Sequence, residues 1–296
     1  GYLGVGFKSV FLISESPEIY SGDYRFGFKK NCFPNPDKIP WQVIPIWIEV
    51  PTISIPLGYR TAFNIPLKDP SFVNKLREET KSEYLSNRVL LFLPHLSTIQ
   101  INDHLSEVKR TIKKSLQSET PDYQVYIIQE LIGEELKNQE RWLLFRSICS
   151  VPEEVKKDPT TIEWERHKID KREVIVAFKL DDADDLVIEE KGTAHVGVFS
   201  FLPLKEIPSG LNFLIQADFL TGPGRAELAR ESKWNVWLVE EIYKLIVEKC
   251  IPIFLKNDKW KMNFTQILYS PSSGHELFEN YLKRPLREYL NTHPVL

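Results

Sequence analysis

The first eleven residues constrain this chain most, because Gly1, Gly4 and Gly6 precede an apolar run at 10–13. Glycine adopts positive φ at little steric cost and lets a ligand approach the main chain closely. Backbone N–H groups that converge in such a turn can bind an anion. The apolar run would then pack the turn onto a core. The pattern favours a phosphate-binding turn, and the alternative interpretation is a mobile N-terminal loop.

Two better-known phosphate-binding motifs do not fit this spacing. A dinucleotide fingerprint reads G-x-G-x-x-G, whereas the order here is G-x-x-G-x-G. A P-loop reads G-x-x-x-x-G-K-[ST], whereas Phe7 lies between Gly6 and Lys8 and moves the lysine out of register. The spacing therefore argues against both classes.

Composition narrows the class of protein. The 296 residues are enough for two domains, at about 150 residues each. A hydrophobic fraction of 42% and a charged fraction of 27% are typical of a soluble globular protein. The net charge of −3 argues against a general nucleic-acid binder. Three widely spaced cysteines suit a reducing compartment, and no apolar run reaches the length of a membrane span.

Hydrophobic periodicity predicts the order of helices and strands. The first part of the chain is predicted to contain a short helix followed by a turn at 10–19, a helix at 69–87, and strands at 24–28, 41–50, 59–67, 89–93 and 98–101. The middle part is predicted to be antiparallel, with strands at 108–114, 123–131, 141–149, 172–180 and 195–201. Helices are predicted at 234–254 and 276–290. Pro45 favours either an edge strand or a loop that passes over a sheet edge for the 41–50 segment.

Metal binding is not expected. The acidic run at 181–185 lacks the ordered ligand spacing and glycine turn of a calcium loop, and it lies between predicted strands. A solvated hairpin tip explains it better. His167 and His195 have no partner at metal-ligand spacing. We therefore interpret both histidines as structural.

Two further stretches carry information. The strand predicted at 59–67 contains Thr61 within the segment YRTAFNIPL. The segment 199–235 reads FSFLPLKEIPSGLNFLIQADFLTGPGRAELARESKWN. It holds a Phe-Leu-Pro element, a Gly-Leu-x-Phe element, Ala-Asp-Phe-Leu, an arginine turn at Arg225, and Trp-Asn, in that order.

The first eleven residues resemble the second glycine box of the GHKL (Bergerat-fold) ATPases, the superfamily of gyrase, the mismatch-repair ATPases, histidine kinases and the ninety-kilodalton heat-shock chaperone. The form G-x-x-G-V-G-F-x-S-x-F-L is similar to the chaperone type in particular. The strand at 59–67 resembles the strand that closes the nucleotide pocket of that family. The order of elements in 199–235 is similar to that in sacsin-type and plant NO VEIN-type ATPases. The resemblance covers most of residues 1–256.

This resemblance implies an α+β fold. Residues 1–105 would form the C-terminal part of a Bergerat-fold sandwich. Residues 106–256 would form a mainly antiparallel middle domain with a long closing helix, and residues 257–296 a C-terminal helical extension. The first two regions would bind and respond to nucleotide.

The resemblance also assigns the nucleotide site, with ATP and Mg²⁺ as cofactors. The residues implied to contact the ATP phosphates through their backbone are Gly1, Gly4, Val5, Gly6 and Phe7. Thr61 would join the hydrogen-bond network around adenine, or is simply a β-branched strand residue. Arg225 would reach the γ-phosphate, with Arg230 as the fallback, since guanidinium binds phosphate oxygens in a fork. The alternative places both arginines on a solvated helix face.

The catalytic elements of that family precede the second glycine box. They are a helix whose glutamate activates water and whose asparagine holds Mg²⁺, and an Asp-x-Gly-x-Gly turn for the adenine amino group. Glu15 and Glu18 are in the wrong place to act as the general base. Because the chain starts at the box without a methionine, we expect the Mg²⁺ ligand and the natural N-terminus to lie upstream. We expect this chain alone to bind ATP weakly and to hydrolyse it negligibly.

The function implied by the resemblance is an ATP-binding module of a chaperone-like ATPase, in which nucleotide closes a lid. ATPase activity would belong to the parent protein. Protein clients are the implied partners, no membrane or nucleic-acid partner is expected, and the compartment would be the cytoplasm or nucleus. The alternative is a non-hydrolysing interaction scaffold that retains a degenerate form of the fold.

Overall fold

The computed structural model describes residues 5–188, 197–222, 224–229 and 231–293. It has an α+β fold that divides into two compact units, Gly1–Lys81 and Ser82–Leu296. The boundary expected near residue 105 lies between two paired strands of the second unit, Thr98–Asp103 and Val108–Glu119. The compact units divide after Lys81, and the domain bounds expected from the sequence stay a prediction.

The first unit contains an antiparallel sheet of four strands in the order β3-β2-β1-β4. The strands are β1 (Glu18–Ser21), β2 (Tyr24–Gly27), β3 (Ile46–Trp47) and β4 (Thr61–Asn64). The helices are α1 (Val5–Lys8), which continues as a 3-10 turn at Ser9–Leu12, and α2 (Phe72–Glu79). Further 3-10 turns lie at Lys30–Cys32, Pro36–Lys38 and Trp41–Val43. β3 is short and lies at a sheet edge, as Pro45 predicted.

The short helix followed by a turn that is predicted at 10–19 corresponds to the helical turn that ends at Leu12 and the turn at Ile13, while Glu18 and Ile19 already belong to β1. Pro17 disfavours the α region at Ser16, so a helix cannot run through to β1. The helix predicted at 69–87 is reduced to α2.

The second unit is built on an eight-stranded sheet in the order β11-β10-β12-β9-β8-β7-β6-β5. Its strands are β5 (Thr98–Asp103), β6 (Val108–Glu119), β7 (Gln124–Ile132), β8 (Glu135–Ser150), β9 (Lys171–Leu180), β10 (Val198–Ser200), β11 (Leu202–Pro203) and β12 (Leu214–Gln216). Every pair is antiparallel except β10 with β12. The antiparallel strands predicted for this region are confirmed, and of the segment at 195–201 the described part forms β10.

Helices cover one face of this sheet. They are α3 (Glu153–Lys156), α4 (Pro159–Glu163), α5 (Lys233–Leu245), α6 (Ile251–Lys256), α7 (Trp260–Leu268), α8 (Glu276–Phe278) and α9 (Arg284–Thr292). Phe254 of α6 packs against Phe145 and Phe178 of the sheet, with ring centroids 5.7 and 5.1 Å apart. The helices predicted at 234–254 and 276–290 are therefore confirmed, and both contribute to one core.

Each of these two helical runs contains a π-helical turn just before a proline. The turns are Ile246–Cys250, ahead of Pro252, and Glu279–Lys283, ahead of Pro285. Proline lacks an N–H and its ring clashes with the carbonyl of residue i−4. A widened turn accommodates both effects, so the runs continue past their prolines.

The other sheet face is covered by a 3-10 helix at Asn87–Phe92. Its apolar residues pack against the buried residues Ile112, Ile128, Trp142 and Leu144. The strand predicted at 89–93 is therefore wrong. Leu90 and Leu91 are both fully buried, and a short apolar run buried on all sides does not reveal its helical or extended state through periodicity.

Candidate functional site

The glycine-rich start of the chain leads into a helix. α1 begins at Val5, the residue that follows Gly4 in the sequence. The first N–H groups of an α-helix have no acceptor within the helix and carry partial positive charge. Gly1 and Gly4 lie outside the described residues, as do the side chains of Val5 and Gly6. Backbone contact between these residues and phosphate stays a prediction.

The side chain of Phe7 belongs to an aromatic cluster. Its ring centroid lies 5.8 Å from that of Phe11, 5.8 Å from that of Phe28 and 6.3 Å from that of Phe63. Phe11 in turn contacts Trp41 at 5.2 Å. These contacts fix α1 against β4. Only the backbone of Phe7 fits the predicted role, because its ring already packs within the unit.

Thr61 lies on β4, exposed, directly opposite Ser21 of β1. The two hydroxyl oxygens are 2.8 Å apart and share a hydrogen bond. Side chains two residues apart on a strand point to the same face, so Thr61 and Phe63 share a sheet face. Since Phe63 also contacts Phe7 of α1, Phe7 packs on the same face of this sheet that carries Thr61.

The opposite face carries a buried polar network that the sequence did not reveal. Glu18 is 3% exposed, and its carboxylate accepts hydrogen bonds from the Tyr20 hydroxyl (2.8 Å), the Asn64 amide (3.0 Å) and the Thr52 hydroxyl. The Lys29 ammonium lies 3.0 Å from the same carboxylate. No short-range pattern connects these residues, because the partners come from separate strands and a loop.

These contacts set the charge of Glu18. Burial by itself would raise the pKa of this carboxyl, but hydrogen bonds from Thr52, Asn64 and Lys29 outweigh burial and lower the pKa to about 2. A carboxylate of such low pKa is a poor proton acceptor near neutral pH. The expectation that Glu18 is not the general base stays a prediction. Glu15 pairs with Lys30 at 3.0 Å on the surface.

Glu18→Gln should therefore remove an acid-sensitive part of the stability. A carboxyl whose pKa falls from 4.5 to about 2 on folding stabilises the native state above pH 4.5, and this contribution disappears as the pH falls towards 2. We expect the variant to lose about 2 kcal/mol of unfolding free energy at pH 7. Urea unfolding at pH 7 and at pH 2.5 measures this, with the exposed Glu15→Gln as the control. An unchanged pH slope in Glu18→Gln would contradict the assignment.

Arg225 lies in a hairpin loop of the second unit. Thr221 forms a bridge with Leu228, and the Arg225 backbone N–H donates to the Gly222 carbonyl at 2.9 Å. Its guanidinium donates to the carbonyls of Ser200 and Leu202, at 3.1 Å each. The alternative that placed Arg225 on a solvated helix face is wrong. Its predicted contact with a γ-phosphate stays a prediction, and Arg230 lies outside the described residues.

The order of elements in 199–235 has a structural basis. The Asn235 amide accepts from the Leu220 N–H at 2.8 Å and donates to the Leu220 carbonyl at 2.9 Å. The Trp234 indole N–H donates to the Asp218 carbonyl at 2.8 Å. Trp234 and Asn235, at the start of α5, are thus hydrogen-bonded to the Ala-Asp-Phe-Leu segment. That segment directly precedes the hairpin that carries Arg225.

The acidic turn at 181–185 is ordered by its own hydrogen bonds. The Asp181 carboxylate accepts from the N–H groups of Ala183 and Asp185, at 2.9 Å each. Arg141 pairs with the carboxylate of Asp184. Among the described residues, no group of three or more His, Cys, Asp or Glu side chains is arranged to hold a metal ion. Over the same residues, no helix combines the length and apolar character needed to cross a membrane.

Comparison with known proteins gives one relative of distant similarity. The chain is 27% identical to Protein NO VEIN of Arabidopsis thaliana over 317 aligned positions, which include 99% of this chain and 10% of NO VEIN. The chain thus spans about a tenth of the length of that relative. No protein-family model matches the sequence, and no solved structure matches it.

Proposed function

We propose that this chain forms part of a GHKL-type ATP-binding module, with its glycine box as the turn that closes over the ATP phosphates. The observation that carries the proposal is the placement of α1 and Thr61 on one sheet face, joined through the contact between Phe7 and Phe63. A phosphate held at the start of α1 and a base held near Thr61 could then belong to one nucleotide.

The described residues offer hydrogen-bonding groups for the phosphates and the base of ATP, but no ligands for Mg²⁺. The N–H groups that open a helix favour anions, and the Ser21–Thr61 hydroxyl pair can bind the polar edge of a base. Mg²⁺ prefers carboxylates together with phosphate oxygens. The buried Glu18 carboxylate is already paired with Lys29, and the described residues offer no other arrangement for a metal ion. We therefore propose nucleotide contacts for this chain and assign no Mg²⁺ ligand within the described residues.

The similarity to Protein NO VEIN supports the proposed family relation over more of the chain than the glycine box. Its alignment covers almost the whole chain, so it takes in both the start of the chain and the segment at 199–235. The activity of the whole protein, including ATP hydrolysis and the driving of protein clients, is a proposal that goes with this family assignment. The role proposed for the present chain is binding and lid closure.

Weak nucleotide binding is the expected result for this chain. Ligand-observed NMR with a non-hydrolysable ATP analogue and Mg²⁺ should detect a Kd of about 1 mM. Gly4→Val and Gly6→Val should each abolish this binding, because a branched side chain blocks close approach to the backbone. Lys8→Ala is the matched control. It should keep binding here, whereas a P-loop would lose it with its lysine.

Two outcomes would contradict the proposal. If the unchanged chain shows no contact with ATP at several millimolar, the glycine box has no nucleotide role and the scaffold alternative takes its place. If Lys8→Ala abolishes binding while both glycine variants retain it, the phosphate is bound by the lysine and not by the turn.

A further inference from the structure

An open cleft in the first unit has two tight turns as its walls. One wall is the turn between β1 and β2, with Gly22, Asp23 and Tyr24, and the other is the loop at 55–60. The Gly22 N–H donates to the Arg60 carbonyl at 3.3 Å and joins the two walls. The cleft has a volume of about 790 Å³, within the usual range for ligand sites, about 300–1,000 Å³.

Both walls are fixed by their backbone conformation. Gly22 has a φ of +57° and opens the two-residue turn between β1 and β2, where a type II′ hairpin turn places glycine. In the loop, the Tyr59 N–H donates to the Pro56 carbonyl at 3.1 Å, and Gly58 has a φ of +90°, as in a type II turn. Because the cleft is formed before a ligand arrives, binding costs little ordering of the chain.

Three large apolar side chains on the walls are exposed to water. Tyr24 is 68% exposed and Tyr59 is 62% exposed, while Leu57, in the second turn, is fully exposed. All three line the cleft. Exposed apolar residues scattered singly are normal on a protein surface, but a group of them around a cleft is typical of an interaction site. Tyrosine is also enriched where proteins bind partners.

Most polar groups of the cleft are hydrogen-bond donors. The polar lining side chains that make no hydrogen bond or ion pair within the described residues are those of Tyr24, Tyr59, Asp23 and Arg60. Phenol hydroxyls and a guanidinium donate, whereas the Asp23 carboxylate only accepts. The complement of this set is a ligand that presents acceptors and few donors.

The charges of the cleft balance. Among its lining residues, Asp23 carries a negative charge and Arg60 a positive one. Sites for phosphate bind it with charged donors such as arginine and lysine, and here the single cation lies with an anion. Thr61, the residue implied to lie near adenine, does not line the cleft. The lining therefore favours a neutral ligand over a nucleotide.

A proline-rich segment has the properties that this cleft requires. Proline has no N–H, and a polyproline II helix makes no internal hydrogen bonds, so its carbonyls are free to accept. Such segments dock in grooves lined by aromatic side chains. An oligosaccharide, the other neutral ligand that stacks on aromatic rings, brings as many hydroxyl donors as acceptors and fits a donor-rich cleft less well.

We propose that this cleft binds a proline-rich segment of a partner protein, with Tyr24 and Tyr59 as the residues on which proline rings pack and Arg60 as a donor to the carbonyls of the segment. The inference is independent of the proposed function, because neither the glycine box nor Thr61 takes part in it.

The test uses a fluorescein-labelled peptide of ten prolines and measures its fluorescence anisotropy with the 296-residue chain. Saturable binding is expected. A peptide of the same length with alternating proline and alanine should bind several-fold more weakly, because alanine restores N–H groups and backbone freedom. Tyr24→Ala and Tyr59→Ala should each weaken binding about tenfold, as expected for central aromatic residues of an interface. Tyr24→Phe should weaken it only about threefold, because it keeps the ring and loses one donor.

Trp47→Ala is the matched control for the tyrosine variants. Trp47 is an exposed aromatic residue of the same sheet (57% exposed) and does not line the cleft. Its replacement should leave peptide binding unchanged, and circular dichroism confirms that each variant is folded. Neither maltohexaose nor a non-hydrolysable ATP analogue should displace the peptide.

Four outcomes would overturn the proposal. They are no saturable binding of the ten-proline peptide, binding that Tyr24→Ala and Tyr59→Ala leave unchanged, displacement by maltohexaose, which would assign the cleft to a sugar, and displacement by the ATP analogue, which would assign it to a nucleotide. Peptide binding that depends on both tyrosines supports the proposal even if ATP does not bind, a result that would contradict the proposed function alone.

Discussion

Replacing Asp218 with alanine is expected to lower the free energy of unfolding by about 3–5 kcal/mol, the usual cost of breaking a buried ion pair from one side. Asp218 is 4% exposed, and each of its carboxylate oxygens accepts from a different arginine. Arg166 donates at 3.1 Å and Arg172 at 2.8 Å. Removing the carboxylate leaves the Arg166 guanidinium, also buried, without this counter-charge.

The same substitution should loosen the hairpin that carries Arg225. The Asp218 carbonyl accepts the Trp234 indole N–H, and two residues later Leu220 forms its pair of bonds with Asn235. Loss of the Asp218 side chain should therefore weaken the packing of the segment at 218–220, from which the hairpin starts. Guanidinium unfolding measures the stability, and hydrogen exchange over 217–229 measures the local effect.

A surface aspartate provides the matched control for Asp218. Asp170 pairs with Lys156 at 2.8 Å, but its side chain is 84% exposed. Asp170→Ala should leave the unfolding transition almost unchanged, because water solvates both charges once they separate. If Asp218→Ala proves as mild as Asp170→Ala, the buried arginine contacts do not stabilise the fold in the way argued above.

Gly274→Ala is expected to destabilise the second unit by about 3 kcal/mol, near the upper end for forced overpacking. A Cβ at Gly274 would lie 2.3 Å from the Ser209 carbonyl oxygen and 2.6 Å from its carbon. Both atoms are backbone, so no side-chain rotation relieves the overlap. Gly210, with φ of +64°, lies against the other side of the same contact.

This contact holds the last helices against the core. The His275 N–H donates to the Pro208 carbonyl at 2.7 Å, and the Gly274 N–H donates to the Glu279 carboxylate at 2.9 Å. Phe278, Leu282 and Leu286 follow in the chain and are buried in that core. If the segment at 208–210 separates from the segment at 274–275, apolar surface on the C-terminal helices should become exposed.

Thermal unfolding and limited proteolysis would check the Gly274→Ala prediction. The matched control is Gly224→Ala, because a Cβ at Gly224 meets no atom within 4 Å. Its effect should stay within about 0.5 kcal/mol. Equal melting temperatures for Gly274→Ala and Gly224→Ala would contradict the prediction, because they would show that the segments around Ser209 and Gly274 can separate with little loss of unfolding free energy.

The fold was predicted best where burial alternates along the chain. Exposed and half-buried residues alternate along β5, Thr98–Asp103, and such alternation predicts a strand. The prediction failed at 89–93, where Leu90 and Leu91 are both fully buried. Alternation disappears when an apolar segment is enclosed on all sides, so its conformation depended on how it packs against the sheet.

Only those features of the candidate site that involve neighbouring residues in the sequence were predictable. The glycine box and the position of Thr61 on a strand follow from short patterns in the sequence. The partner of Thr61 does not, because Ser21 lies 40 residues away and meets it only through the register of β1 with β4.

The sequence by itself thus determined the α+β class, most strands and the long helices. These features follow from backbone preference and from the period of burial, which are properties of neighbouring residues. The tertiary structure alone decided the pairing of Ser21 with Thr61, the burial of Glu18, the two arginines on Asp218 and the contact of Gly274 with Ser209. Each of these contacts joins residues that are far apart in the sequence. Many polar groups along the chain could satisfy the same donor or acceptor, so the sequence does not identify the partner. Strand register and loop packing determine which groups meet.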